Sequence, residues 1–394
     1  MGISPVNTNF YVNNNIGSTF DAFKNKHKIP FQSEMSDTNL IFLYLKNQGQ
    51  NNINPNFTKV YLTPSQIEDF DNYSEVDKFG NEITTIKHSM DGTSLVQQIK
   101  TKSPDGTVLE KTVKNSDNFK SAHIVISDKN NRTLMIKDKS YIKQDENNAQ
   151  TIVNGEVYNI SGLNGDVITV EHNNQKIQLD LNKMLVPEVK LLELNTSPDN
   201  YLIREHKITN EEKEKLFNRI KSLSGDDLFR LSKCTEHIQF LDNTKLDAHF
   251  VDAGKTLLLS GKDWENSSLI TNHELGHAIN HLNTPDIISN NNLFAGVRNY
   301  EKLNFQKYGN LKDTDNAFNE KFITGNPDLN WNNTDNENIT DEDCLRDETF
   351  AESYNLLNTL DIIHYDDERM PSRMLSMCKY MPKTLVEVEK LSKI

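Results

Sequence analysis

At 394 residues the chain is longer than one hydrophobic core usually serves, which predicts two or more domains. A formal net charge of -14 excludes general affinity for nucleic acid or anionic membranes, because phosphate binding needs clustered Lys and Arg. Cys234, Cys344 and Cys378 are odd in number and widely spaced, giving neither a disulfide framework nor a CxxC zinc pair, and no run of about 18 apolar residues supplies a spanning helix.

Residues 1–30, rich in Asn, Ser and Thr, read as a disordered leader that lacks the basic and apolar regions of a Sec signal. Residues 31–77 are a small mixed segment in which Thr63-Pro64 opens a short helix. From 78 to 185 short alternating apolar runs are separated by Asp91-Gly92, Asp105-Gly106, Asn154-Gly155 and Asn164-Gly165, each suited to a tight hairpin turn. Stretches such as His123–Ile126, Thr133–Ile136, Val157–Ile160 and Val167–Val170 then predict an antiparallel meander, a structural or partner-binding β module without a metal or nucleophile cluster. Residues 186–235 read as a helical linker. Its helix Glu211–Ser222 turns Leu216, Phe217 and Ile220 to one face.

Residues 236–394 carry the chemistry. Strand-like Ile238–Leu241 and Lys255–Ser260 precede a helical stretch over 269–282 containing His273-Glu274-Leu275-Gly276-His277. At 3.6 residues per turn His273 and His277 share a face and reach one metal ion, while Glu274 is offset by about 100° and suits a general base instead. Leu275, Ile279 and Leu282 form the opposite, buried stripe, and Gly276 admits a close neighbouring backbone. The plain alternative is an ordinary helix with two solvated histidines. Further on, Asp347–Tyr354 lies in a helical pattern that turns Glu348 and Glu352 to one face and Phe350, Tyr354 and Leu357 to another. That face offers one metal ligand and one hydrogen-bond partner for a ligating histidine. His281 lies one turn beyond His277 but is carried past the metal by a straight helix; His364 reads as structural. Cys234 lies 39 residues (273 − 234) before His273, and the Lys233-Cys234-Thr235 context does not suit a deformylase site.

Four segments together resemble the gluzincin peptidases, and within them the anthrax lethal factor-like catalytic domain. They are Phe250–Gly261, His273–Ala278, Glu348–Tyr354 and the helix start at Pro382-Lys383-Thr384. The resemblance covers about 236–394. It implies a mostly helical zincin-like peptidase domain with a small sheet, so that with the meander read above the chain is expected to be α+β and multidomain. It implies one Zn²⁺ on His273, His277 and Glu348, Glu274 as general base and Glu352 behind a ligating histidine. It also implies an edge strand at Leu257, Leu258 and Leu259 that pairs with an extended protein or peptide substrate. Two departures stand out. His277 and Glu348 are 71 residues apart (348 − 277), implying an insertion around 290–340, and no Tyr lies between Gly309 and Asp347 to steady an oxyanion. Tyr300, Tyr308, Tyr354, Tyr365 and Tyr380 do not align with that role.

The function these features imply is a zinc-dependent endopeptidase, a toxin or effector acting on a host protein after Sec-independent export, or else a cytoplasmic enzyme. The competing expectation is a binding protein in which the β module recognises a partner and the zinc domain is degenerate or structural. The oligomeric state is left open.

Overall fold

Alternating apolar and polar residues make Tyr73–Asp180 into one sheet. In the computed structural model, residues 72–393 are described apart from 187, 195–200, 242–247, 252–254, 261–267, 284–285, 309–340 and 363–372. The expected leader, most of the 31–77 segment with its short helix, the segment 309–340 and His364 therefore lie outside the described residues.

Ten strands follow one another as an antiparallel meander in sequence order. They are β1 (Tyr73–Val76), β2 (Glu82–Asp91), β3 (Ser94–Lys102), β4 (Val108–Ser116), β5 (Phe119–Ser127), β6 (Thr133–Lys143), β7 (Asn148–Val153), β8 (Glu156–Ser161), β9 (Val167–His172) and β10 (Gln175–Asp180). Asn154 and Gly155 both take positive φ between β7 and β8, as the two-residue hairpin requires. Asn164-Gly165 does not play this part. There it is Gly162 that takes positive φ, and a Cβ on it would sit 2.1 Å from Val167 O. Asn173 and Asn174, both at positive φ, make the tight turn into β10, which an Asn-Gly search passes over.

A short helix, α1 (Leu181–Met184), leads to a two-stranded hairpin, β11 (Glu188–Leu194) with β12 (Tyr201–Lys207). This hairpin replaces part of the expected helical linker; Val189 to Leu194 carry enough β-favouring residues to pair. Helix α2 (Asn210–Lys221) opens on a capping box between Thr209 and Glu212 and buries Leu216, Phe217 and Ile220. Helix α3 (Gly225–Cys234) follows, and a three-stranded sheet is then built from β13 (His237–Leu241), β14 (Ala248–Val251) and β15 (Thr256–Ser260). The remaining helices are α4 (Ser268–Asn280), α5 (Asn292–Tyr308), α6 (Asp341–Asn358), α7 (Arg373–Tyr380) and α8 (Pro382–Leu391), the last with Pro at its first turn. No helix among the described residues is long and apolar enough to cross a membrane.

The boundary expected near 185 is not a boundary of packing. One apolar core runs from Ile86, Ile99 and Ile124 of the large sheet to Leu275, Phe350 and Leu385 of the helices. Polar contacts cross the same seam. Thr101 Oγ1 donates to Cys378 O at 2.7 Å, and Lys111 Nζ donates to Leu356 O at 2.8 Å, so a cation meets carbonyls at the end of α6. Lys137 and Lys139 of β6 point inward and are buried, whereas Leu134 and Ile136 face out, with Ile136 54% exposed. Strand periodicity predicts this strand, but only Met135 of its first apolar residues faces the core, and Leu134 and Ile136 take the outer face. The inner face instead meets Asp226, Asp227, Glu389 and Asn358, which pair the lysines.

Candidate metal centre

Helices α4 and α6 cross closely because Gly276 has no side chain. A Cβ at Gly276 would lie 2.7 Å from Ala351 Cα and 3.0 Å from Ala351 O. The close approach expected of this glycine is therefore made by the very helix that carries Glu348. Both helices hold their register through apolar anchors, Leu275 and Ile279 on one and Phe350, Tyr354 and Leu357 on the other, all buried. Arg298 of α5 donates from Nε to Thr349 Oγ1 at 3.0 Å, steadying α6 beside its glutamate.

At the crossing, His273, His277 and Glu348 converge. Their nearest atoms are separated by 3.2 Å (His273 Nε2 to His277 Nε2), 3.4 Å (His273 Nε2 to Glu348 Oε2) and 3.7 Å (His277 Nε2 to Glu348 Oε1). In a tetrahedron with metal–ligand bonds of about 2.0–2.1 Å the edges are about 3.3 Å, so this donor set fits a small cation such as zinc. The outer nitrogens fix the tautomers. His273 Nδ1 lies 2.9 Å from Glu352 Oε2, and His277 Nδ1 lies 3.0 Å from Asp347 Oδ1. Each Nδ1–H faces a carboxylate, which leaves each neutral ring with its Nε2 lone pair turned to the shared point. Two lone pairs and a carboxylate at that spacing repel unless a cation, or protons, sits among them.

The protonation equilibria of the metal-free chain express the same crowding. Burial opposes a charged His277, but Asp347 and Glu348 outweigh it and raise its pKa to about 9. Burial likewise opposes charge on His273, whose hydrogen bonds with Glu348 and Glu352 hold its pKa well above the ordinary value. Glu348 is buried yet held below the usual carboxylate range by the two histidines.

Glu274 is 7% exposed, and its Oε2 finds no hydrogen-bond partner among the described residues. A buried carboxylate oxygen without a donor is costly unless a ligand or solvent meets it. His281 is not brought among the three converging atoms. Its Nε2 lies 3.1 Å from Asp347 Oδ2, so it supports the carboxylate that orients His277. Asp347 is the residue that sequence reasoning missed. The signal available was its place one turn before Ala351, next to Glu348. Asn280 Nδ2 also donates to Asp347 Oδ1 at 2.6 Å, fixing it from a third side.

One expected assignment is corrected. Leu257–Leu259 do not form an edge strand: β15 lies in the middle of its sheet, parallel to β13 and antiparallel to β14, with Leu257 and Leu259 fully buried. Both of its backbone sides are already used, so it has no free groups for a substrate. The other side of β13 is partly taken by Leu185 and Val186. Among the described residues the unpaired edge of this sheet is β14, whose Phe250 ring lies 6.5 Å from the His281 ring. The tyrosines described in this half are engaged elsewhere: Tyr354 donates to Asp227 Oδ1 at 2.6 Å, and Tyr380 packs edge-on against Phe305. Cys234 and Cys378 are buried core thiols, both pushed up to about 12 by burial.

Among known proteins, no family model, no curated protein and no solved structure matches the chain.

Proposed function

We propose that the chain is a zinc-dependent endopeptidase of the HExxH…E type, with one Zn²⁺ held by His273, His277 and Glu348. The observation that carries this reading is the convergence of one donor atom each from His273, His277 and Glu348, all within 4.8 Å of one another, with Glu274 next in sequence to His273. A mixed imidazole–carboxylate set that leaves a fourth position open is the pattern of hydrolytic zinc sites. The bound ion would supply Lewis acidity toward a peptide carbonyl and bring the pKa of water toward neutrality. Glu274 takes the proton of the attacking water and passes it to the leaving amine. Glu352 and Asp347 hold the two imidazoles in the tautomer that presents Nε2. An extended substrate pairs with β14 by main-chain hydrogen bonds, beside α4.

The lethal factor-like resemblance points to a protein substrate in a host cell. The competing reading, a β module that binds a partner, is disfavoured by the packing of the sheet's inner face against the helices.

The test is cleavage of an unbiased peptide library by the wild type and by Glu274→Gln. The wild type is expected to cleave, to stop on chelation and to recover with zinc. The variant keeps its metal and loses about 10²–10⁴-fold in rate. Cleavage by Glu274→Gln at the wild-type rate would contradict the assignment.

A further inference from the structure

A second buried constellation lies between the inner face of the large sheet and the C-terminal end of α6. Lys137 Nζ is 3.0 Å from Asn358 Oδ1 and 2.6 Å from Glu389 Oε2. Lys139 Nζ reaches the same amide oxygen at 3.4 Å and is itself held by Asp227 at 2.7 Å and Asp226 at 3.0 Å. Lys137, Asn358 and Glu389 are 1%, 2% and 7% exposed, so bulk water does not compete for any of them. Asn358 Nδ2 donates to Tyr354 O at 2.8 Å, which fixes the amide plane and identifies its oxygen as the atom facing the lysines.

A buried ion pair needs only a lysine and a carboxylate. Here an amide is added, its oxygen shared by two amines of different standing. Lys139 is paired with two aspartates, Asp226 and Asp227. Lys137 has one carboxylate, beside which it can lose a proton; burial also holds its ammonium below the ordinary lysine pKa. These are the parts of an acyl transfer: a nucleophile, a proton carrier, an electrophile and a cation at the developing oxyanion.

We propose that Lys137 and Asn358 join in an intramolecular isopeptide bond, promoted by Glu389 and Lys139. Glu389 takes a proton from the Lys137 ammonium, and the Nζ lone pair attacks Asn358 Cγ. Lys139 stabilises the charge that grows on Oδ1. Glu389 gives its proton to Nδ2 and receives one from Nζ as the Cγ–Nδ2 bond breaks. The ammonia released takes that last proton and leaves as ammonium, restoring the Glu389 carboxylate. One primary amide and one amine become one secondary amide and one ammonia, with no oxidant or cofactor. The bond ties β6 to the end of α6 across 221 residues of sequence.

Intact mass spectrometry of the purified full chain, followed by peptide mapping, tests this. The expected mass is lower than that of the sequence by one ammonia, with a branched peptide joining Lys137 to Asn358. Lys137→Arg and Glu389→Gln, which preserve charge or shape, are expected to restore the full mass and to leave metal uptake in place. A wild-type mass equal to the sequence after prolonged incubation would overturn the proposal. So would a loss of ammonia that mild alkali reverses without a branched peptide, which would mark a succinimide at Asn154-Gly155 or Asn164-Gly165.

Discussion

At the scale of single residues, the site is defined by how its carboxylates divide their work. Glu348 faces the shared point between the histidines, Glu352 and Asp347 stand behind them, and Glu274 keeps one oxygen without a hydrogen-bond partner among the described residues. Replacing Asp347 with Ala should weaken zinc binding by about 10–100-fold while leaving the fold in place, measured by competition with a chelator. Unchanged affinity would remove Asp347 from the site. The pH behaviour has a definite sign. In the metal-free chain His277 holds its proton up to about pH 9, against 6.5 for an ordinary histidine. Its charged pair with Asp347 and Glu348 therefore stabilises the fold fully below pH 6.5, and that contribution is lost as pH rises through 9. Zinc takes the neutral rings, so its uptake at pH 7 must expel protons. Titration calorimetry in buffers of different ionisation enthalpy should detect a net release; none would contradict the raised pKa. The meeting of His273, His277, Glu348 and Glu352 was legible in the sequence because helical spacing fixes which side chains share a face. Asp347 was not, because its role depends on where α4 and α6 cross, and spacing within one helix does not record that.

Elements position these groups through one close crossing. Gly276→Ala would place a Cβ within 3.0 Å of the α6 backbone, and that backbone has no flexible end to yield. The expected result is a displaced Glu348, with zinc affinity reduced more strongly than thermal stability. A variant with wild-type zinc affinity would show that the crossing tolerates the extra carbon. The strands and helices themselves were largely readable, from alternation in β5, β6, β8 and β9 and from the stripes of α2 and α4. The error at Leu257–Leu259 has a physical origin: an apolar run predicts a buried strand, but sheet order is set by pairings between distant segments. The run's continuity, Leu257-Leu258-Leu259, in fact suits a strand with neighbours on both sides better than an edge.

For the whole molecule, the large sheet and the helices fold as one body of packing. Lys111 meets the end of α6, Lys137 meets Glu389, and Lys139 meets Asp226 and Asp227, all out of water. Lys139→Ala would leave two buried aspartates short of a partner and should cost about 3–5 kcal/mol, seen as a lower midpoint in denaturant. A fragment beginning at residue 186 would expose the apolar seam and is expected to lose both cooperative unfolding and metal binding. Hairpin signals made the meander legible, but nothing in its local pattern announced that its inner face is the floor beneath α6. The inward lysines of β6 look like solvated charges until their carboxylate partners from α3 and α8 are known. The most direct test of the account is the zinc content of the purified chain beside His277→Ala and Glu348→Ala. One zinc per wild-type chain, lost in both variants, is the predicted result; a folded wild type that takes up no zinc even when incubated with it would contradict the metal site and the peptidase built on it.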